Sequence, residues 1–202
     1  MQPLILDDLV PLAEYIGRRS EFFAVHGRYL DRYRRVRIGP RLTLVFENRQ
    51  TLLYRVQELL RVARLADPVR VQQELDWYNR LLPGRDALQA AMFIDMSGGS
   101  DWTEQVRFWE ELTGECLRLV AGNVFTAARL ATCRPEDRCA GAAHWITLTL
   151  SGEARAALAD SLRPAFMAAD YRTYKHRSPA LSDLVRRSLV DDLELSDRDR
   201  AA

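Results

Sequence analysis

Three clusters of side chains in this sequence could do chemistry. Cys133, Cys139 and His144 form a C-x5-C-x4-H pattern, and Cys116 could supply a fourth ligand, the donor set of a tetrahedral zinc site. The spacing is not a standard zinc spacing, and free thiols in or near a loop explain it as well, so no metal or other cofactor is expected. The same cysteine pair could act as a redox switch, with Arg134 and Arg138 as the nearby groups able to lower a thiol pKa. Glu58 and Glu74 fall on two consecutive helical patterns; if their polar faces share a groove, either carboxylate could serve as an acid or base. A solvated helix face accounts for both equally. Glu47-Asn48-Arg49 lies where a strand pattern gives way to a helix, and free N–H groups there plus an arginine could hold an anion. Capping alone explains Asn48, and no glycines are present to wrap a phosphate.

Other chemistries lack their signatures. No Glu has a His three residues on, which a carboxylate-bridged di-iron site needs, and there is no Cys-x2-Cys pair. His26, His144 and His176 are scattered, and no G-x-S-x-G elbow supports a serine nucleophile. The strongest charge feature is Arg28, Arg32, Arg34, Arg35, Arg37 and Arg41 against Asp31, with Tyr29 and Tyr33 interleaved. A solvated face, a single-stranded nucleic acid site or a clamp on an acidic protein all fit it.

The elements that must position these residues centre on Arg34 to Gly84. Val36 and Ile38 alternate with Arg35 and Arg37, and after Gly39-Pro40 the residues Leu42, Leu44 and Phe46 alternate again, so a β-hairpin is expected. The period then changes to that of a helix, with Leu52, Leu53, Val56, Leu59, Leu60 and Ala63 on one arc and Asn48 as its N-cap. Asp67-Pro68 ends that helix and opens the next, on which Val71, Leu75, Tyr78 and Leu82 form a stripe. Upstream, Asp7 is read as capping a helix to about Arg19, and Ser20 as capping a second with Phe22, Phe23, Tyr29, Leu30 and Tyr33 inward. Downstream, Ala90–Met96, Glu115–Ala121, Ala143–Leu150 and Ala165–Tyr171 read as strands, the last of these as the final one. Helices are expected from about Asp101 to Thr113, after Ser151 and from Pro179. The fold class is therefore α+β: a helical N-terminal half with a β-hairpin, packed on a small mixed or antiparallel sheet drawn largely from the C-terminal half. Residues 1–195 should be one domain and 196–202 a disordered tail.

Composition narrows the class further. The 202 residues carry 29 basic and 28 acidic side chains for a net charge of +1, which argues against a dedicated nucleic-acid binder. Lys175 is the sole lysine, a skew that fits a GC-rich genome, so abundant arginine is not itself a functional signal. No apolar run reaches membrane-spanning length, no signal peptide is evident, and three cysteines without a framework spacing fit a reducing, cytoplasmic setting. Trp77 and Leu81 lie off the main stripe of their helix, which fits homodimer contacts and core positions equally.

LDDLVPLAEY (Leu6 to Tyr15), IGPRLTLVFENRQTLLYRVQELLR (Ile38 to Arg61), ELDWYNRLLPG (Glu74 to Gly84) and PEDRCAGAAHWITL (Pro135 to Leu148) together resemble a bacterial family of short proteins of unknown function. The resemblance covers nearly the whole chain, and G-P-x-x-T-L-x-F-E-N-R is its most specific phrase. It implies a setting beside rubrerythrin-like proteins and iron–sulfur oxidoreductases, in redox or peroxide-stress metabolism, and brings no catalytic residues with it. The expectation is a non-enzymatic accessory protein docking an acidic redox partner through Arg34, Arg35 and Arg37 and the Glu47–Arg49 junction. The alternative is a small enzyme using Glu58 or Glu74.

Overall fold

Gly39 turns the hairpin with φ of 63°, a conformation that a side chain resists, and sends the chain from β1 (Arg35–Ile38) into β2 (Leu42–Phe46). The computed structural model, which describes residues 1–97, 101–131 and 142–198, places this hairpin at one end of an eight-stranded sheet. The remaining strands are β3 (Ala87–Ile94), β4 (Leu117–Ala121), β5 (Val124–Leu130), β6 (Ala143–Thr149), β7 (Ala165–Tyr171) and β8 (Tyr174–Arg177). Their order is β1-β2-β3-β6-β5-β4-β7-β8, and each neighbouring pair is antiparallel.

The sheet is larger than the small one expected, and it coils until its two edges meet. β1 comes against β7 across the seam. Tyr174 bridges that seam: its hydroxyl donates to the carbonyl of Ile38 and accepts from the N–H groups of Arg41 (3.1 Å) and Leu42 (3.2 Å). The result is a nearly closed barrel whose interior is filled by the inward positions of the strands, among them Ile38, Leu44, Met92, Leu119, Ile146 and Met167.

Six helices surround it among the described residues: α1 (Leu12–Tyr33), α2 (Arg49–Ala63), α3 (Pro68–Asn79), α4 (Trp102–Trp109), α5 (Gly152–Ala159) and α6 (Asp183–Arg198). Trp109 from α4 and Val185, Leu189 and Leu193 from α6 join the barrel core. The buried Arg186 ties α6 to the end of α5, donating to the carbonyls of Ala157 (3.1 Å) and Leu158 (2.7 Å), groups that no helical N–H can satisfy. A second, smaller core forms outside the sheet, where Leu52, Val56 and Leu60 of α2 meet Val71 and Leu75 of α3, with Trp145 of β6 against them.

Local signals set much of this. Asn48 caps α2 by accepting from the N–H of Thr51 at 3.1 Å, and Asp67 caps α3 with Pro68 in its first turn. Two helices expected before the hairpin are one: Ser20 lies within the 22-residue α1, and Leu6–Asp8 is a single 3-10 turn. β5 and β8 were not anticipated. α6 runs on to Arg198, and residues 199–202 lie outside the described residues. No helix among the described residues is long and apolar enough to cross a membrane.

Candidate functional site

Strand alternation puts Arg35 and Arg37 on the outer face of β1, while Val36 and Ile38 point into the barrel. Beside them runs α2, whose Arg55, Glu58, Leu59 and Val62 follow the i, i+3, i+4, i+7 spacing of one helix face. These two surfaces, with His26 and Leu30 of α1, form the walls of an open groove of about 690 Å³; Tyr78 and Phe93 complete it. The volume falls within the range of ordinary ligand sites.

Three guanidinium groups reach this groove. Arg55 is fixed by the fully buried Glu47, with Nε and Nη2 at 2.9 and 2.6 Å from Oε1, and it lies over the rings of Phe93 and Trp145. Arg35 pairs with Asp31 one helical turn earlier. Arg37 is exposed and makes no ion pair among the described residues. His26 stacks face to face on Tyr54, ring centroids 3.7 Å apart. Burial, then the neighbouring Arg55 and Arg35, push the His26 pKa down to about 4, so its imidazole is neutral at pH 7.

The carboxylate in the groove does not fit the acid/base role. Glu58 accepts from Tyr15 Oη at 2.9 Å, Arg19 Nη2 at 2.9 Å and Arg61 Nη2 at 3.0 Å. Burial raises its pKa, but the hydrogen bonds from Arg19, Arg61 and Tyr15 outweigh that and hold it down to about 2. An acid or base working near neutral pH needs a pKa near 7, so Glu58 is a fixed anion turned toward α1. Glu74 is half-exposed on α3, one turn before Tyr78, and is not part of the groove wall.

The expected binding residues separate into two groups. Arg35 and Arg37 line the groove, whereas Arg34, at the end of α1, is only 2% exposed and pairs with the equally buried Asp192 of α6. The docking strip read from the sequence therefore loses Arg34, because the helix-to-strand junction turns it inward. At the strand-to-helix junction, Glu47 is consumed by Arg55 and the Thr51 hydroxyl. Asn48 caps α2 and donates to Tyr29 Oη at 2.9 Å, and Arg49 pairs with Asp8 while its N–H meets Met1 Sδ. The N–H groups of Asn48, Arg49 and Thr51 thus have acceptors within the chain, while the buried Arg49 Nε has none among the described residues.

Of the metal candidates, Cys133 and Cys139 lie outside the described residues. His144 is buried on the inner face of β6, opposite Met92, and Cys116 sits half-buried against Thr113. Among the described residues no three His, Cys, Asp or Glu side chains cluster to hold a metal ion. Of the two positions suggested for a dimer, Leu81 is core, and Trp77 packs edge-on against Tyr78 and Trp145. Sequence reasoning missed Arg55, His26, Tyr54 and Phe93 as wall residues. Only Arg55 carried a signal, as a basic residue bordering the apolar arc of α2.

With this geometry in place, comparison with known proteins is informative. The model of the family described as protein of unknown function DUF3501 matches residues 3–193. The chain belongs to this family. A crystal structure described as a novel protein of unknown function from Burkholderia pseudomallei K96243 is similar to it, with a TM-score of 0.83 and 24% identity over 95% of this chain and all of the other. That likeness shows a shared fold. No curated protein matches the sequence.

Proposed function

We propose that this DUF3501 protein is a non-catalytic accessory protein that holds an acidic segment of a partner in the groove between α1, the β1–β2 hairpin and α2. The observation that carries this reading is the convergence of Arg35, Arg37 and Arg55 on one concave, aromatic-walled surface, with Arg37 unpaired among the described residues. The titratable groups nearby support binding over chemistry: Glu58, held near 2, and His26, held near 4, both lie far from a neutral-pH proton carrier. The partner we propose is an acidic redox protein of iron–sulfur or rubrerythrin-like type; this part rests on the setting that the family resemblance implies.

A photo-crosslinking residue at Val62, on the groove wall and 68% exposed, tests this in living cells. The expected product is a crosslink to an Asp- and Glu-rich segment of a redox protein, lost when Arg35 and Arg37 both become Glu and weakened by added salt in lysate. Crosslinks to neutral or basic segments, crosslinks indifferent to the arginine changes, or none at all would overturn the reading.

A further inference from the structure

Behind the His26–Tyr54 stack lies a second concavity. It is a slot of about 150 Å³ between α1, α2 and the N-terminal segment, with Val10, Tyr15, Phe22, Val25 and Leu53 around it. His26 and Tyr54 are walls of both spaces, so the slot and the basic groove share one partition. An apolar cavity of this size accepts a benzene ring in other proteins.

Most polar groups at the slot are already committed. Gln57 donates to the carbonyl of Val10 and accepts from its N–H, both at 3.0 Å. Asp8 is held by Arg49, and the Tyr15 hydroxyl donates to Glu58. Among the described residues the exposed Gln50 and the neutral imidazole of His26 are the polar groups left without a hydrogen bond, set in a lining dominated by Val10, Phe22, Val25 and Leu53, so the slot favours an apolar occupant. Across the partition the demand reverses. Arg37 has no counter-ion among the described residues, and the counter-ions of Arg35 and Arg55, Asp31 and Glu47, do not line the groove.

We infer that slot and groove are two halves of one recognition site, which takes a protein segment carrying a large apolar side chain a few residues from a cluster of carboxylates. The inference rests on the docking reading above and adds to it the partner's anchor residue. The anchor supplies burial, worth roughly a factor of ten or more in affinity for a Leu- or Phe-sized group. The carboxylates supply steering and orientation.

Selection of phage-displayed random dodecapeptides on the full chain, followed by fluorescence anisotropy with the enriched peptides, tests it. Enriched peptides should carry a Phe, Leu or Met at a constant offset from two or more Asp or Glu residues. Val25→Glu places a charge at the slot, and Arg37→Glu reverses the groove; both positions are exposed, so circular dichroism should show the fold intact. Each substitution should weaken binding at least tenfold. Changing the peptide's anchor to Ser should weaken binding to the native protein tenfold, yet have little further effect on the Val25→Glu variant. Acidic peptides without an anchor, insensitive to Val25→Glu but lost with Arg37→Glu, would overturn this inference and leave acidic docking standing. Apolar peptides indifferent to Arg37→Glu, or no enrichment over an unrelated control, would overturn both.

Discussion

Changing Asp192 to Ala strips the counter-ion from a guanidinium that has almost no access to water. Arg34 and Asp192 are 2% and 3% exposed, their two oxygens and two nitrogens facing one another, and Arg34 Nε also donates to Tyr29 Oη at 3.1 Å. Burial holds the Asp192 carboxyl above its ordinary pKa even with Arg34 against it, so desolvation of the pair offsets much of the attraction. Removing one partner should therefore cost about 3–5 kcal/mol, while replacing both with apolar residues of similar size, Arg34→Met with Asp192→Leu, should cost far less. With a urea slope of about 2 kcal/mol per molar, the single variant's midpoint falls by about 1.5–2.5 M. The assay is a double-mutant cycle by urea unfolding at pH 7.5, followed by far-UV circular dichroism. A single-variant shift below about 0.5 M, or a double variant as unstable as the single, would refute the claim that Arg34 is a structural ion inside the fold.

Gly39→Ala should destabilise by about 1–3 kcal/mol in the same assay, because the turn needs φ of 63° and the added methyl would lie 2.5 Å from His176 Cγ. Glu58, with a folded pKa of about 2 against an ordinary 4.5, contributes stability that is complete above pH 4.5 and lost as the pH falls toward 2; Glu58→Gln should abolish that part of the acid profile. His26 acts in a separate window. Its folded pKa is lowered from 6.5 to about 4, so its contribution is complete above pH 6.5 and disappears on descent toward 4, and thermal melts of His26→Phe should be flatter across that range.

How much of this was legible in the sequence depended on how local the cause was. The hairpin turn at Gly39-Pro40, the Asn48 cap and the Asp67-Pro68 start are decided within four or five residues, and all are found. Ser20 misled because serine is a good cap residue, but nothing near it breaks the helix, and packing on α2 carries α1 straight through. β5 escaped notice because its pattern is inverted: Phe125 points out and Thr126 in. β8 buries Tyr174 alone and otherwise exposes Lys175, His176 and Arg177, polar positions of the kind by which an edge strand avoids stray pairing, and these leave no apolar alternation to read. In the site, strand alternation correctly put Arg35 and Arg37 on the outside. The inward turn of Arg34 depends on Asp192, 158 positions away, and no window of sequence contains both.

The phenol at the seam makes the first and last strands answerable to each other. Hairpin and strand are 132 positions apart at the contact between Leu42 and Tyr174, so a chain emerging from the ribosome completes its hairpin long before the residue that fastens it exists. Until Tyr174 arrives, the free edge of β1 stands open to any strand that passes, and the same exposure returns if the C-terminal segment is cut away. The ring is thus a late-closing clasp: chains cut just after Tyr171 should aggregate more readily than the full-length protein.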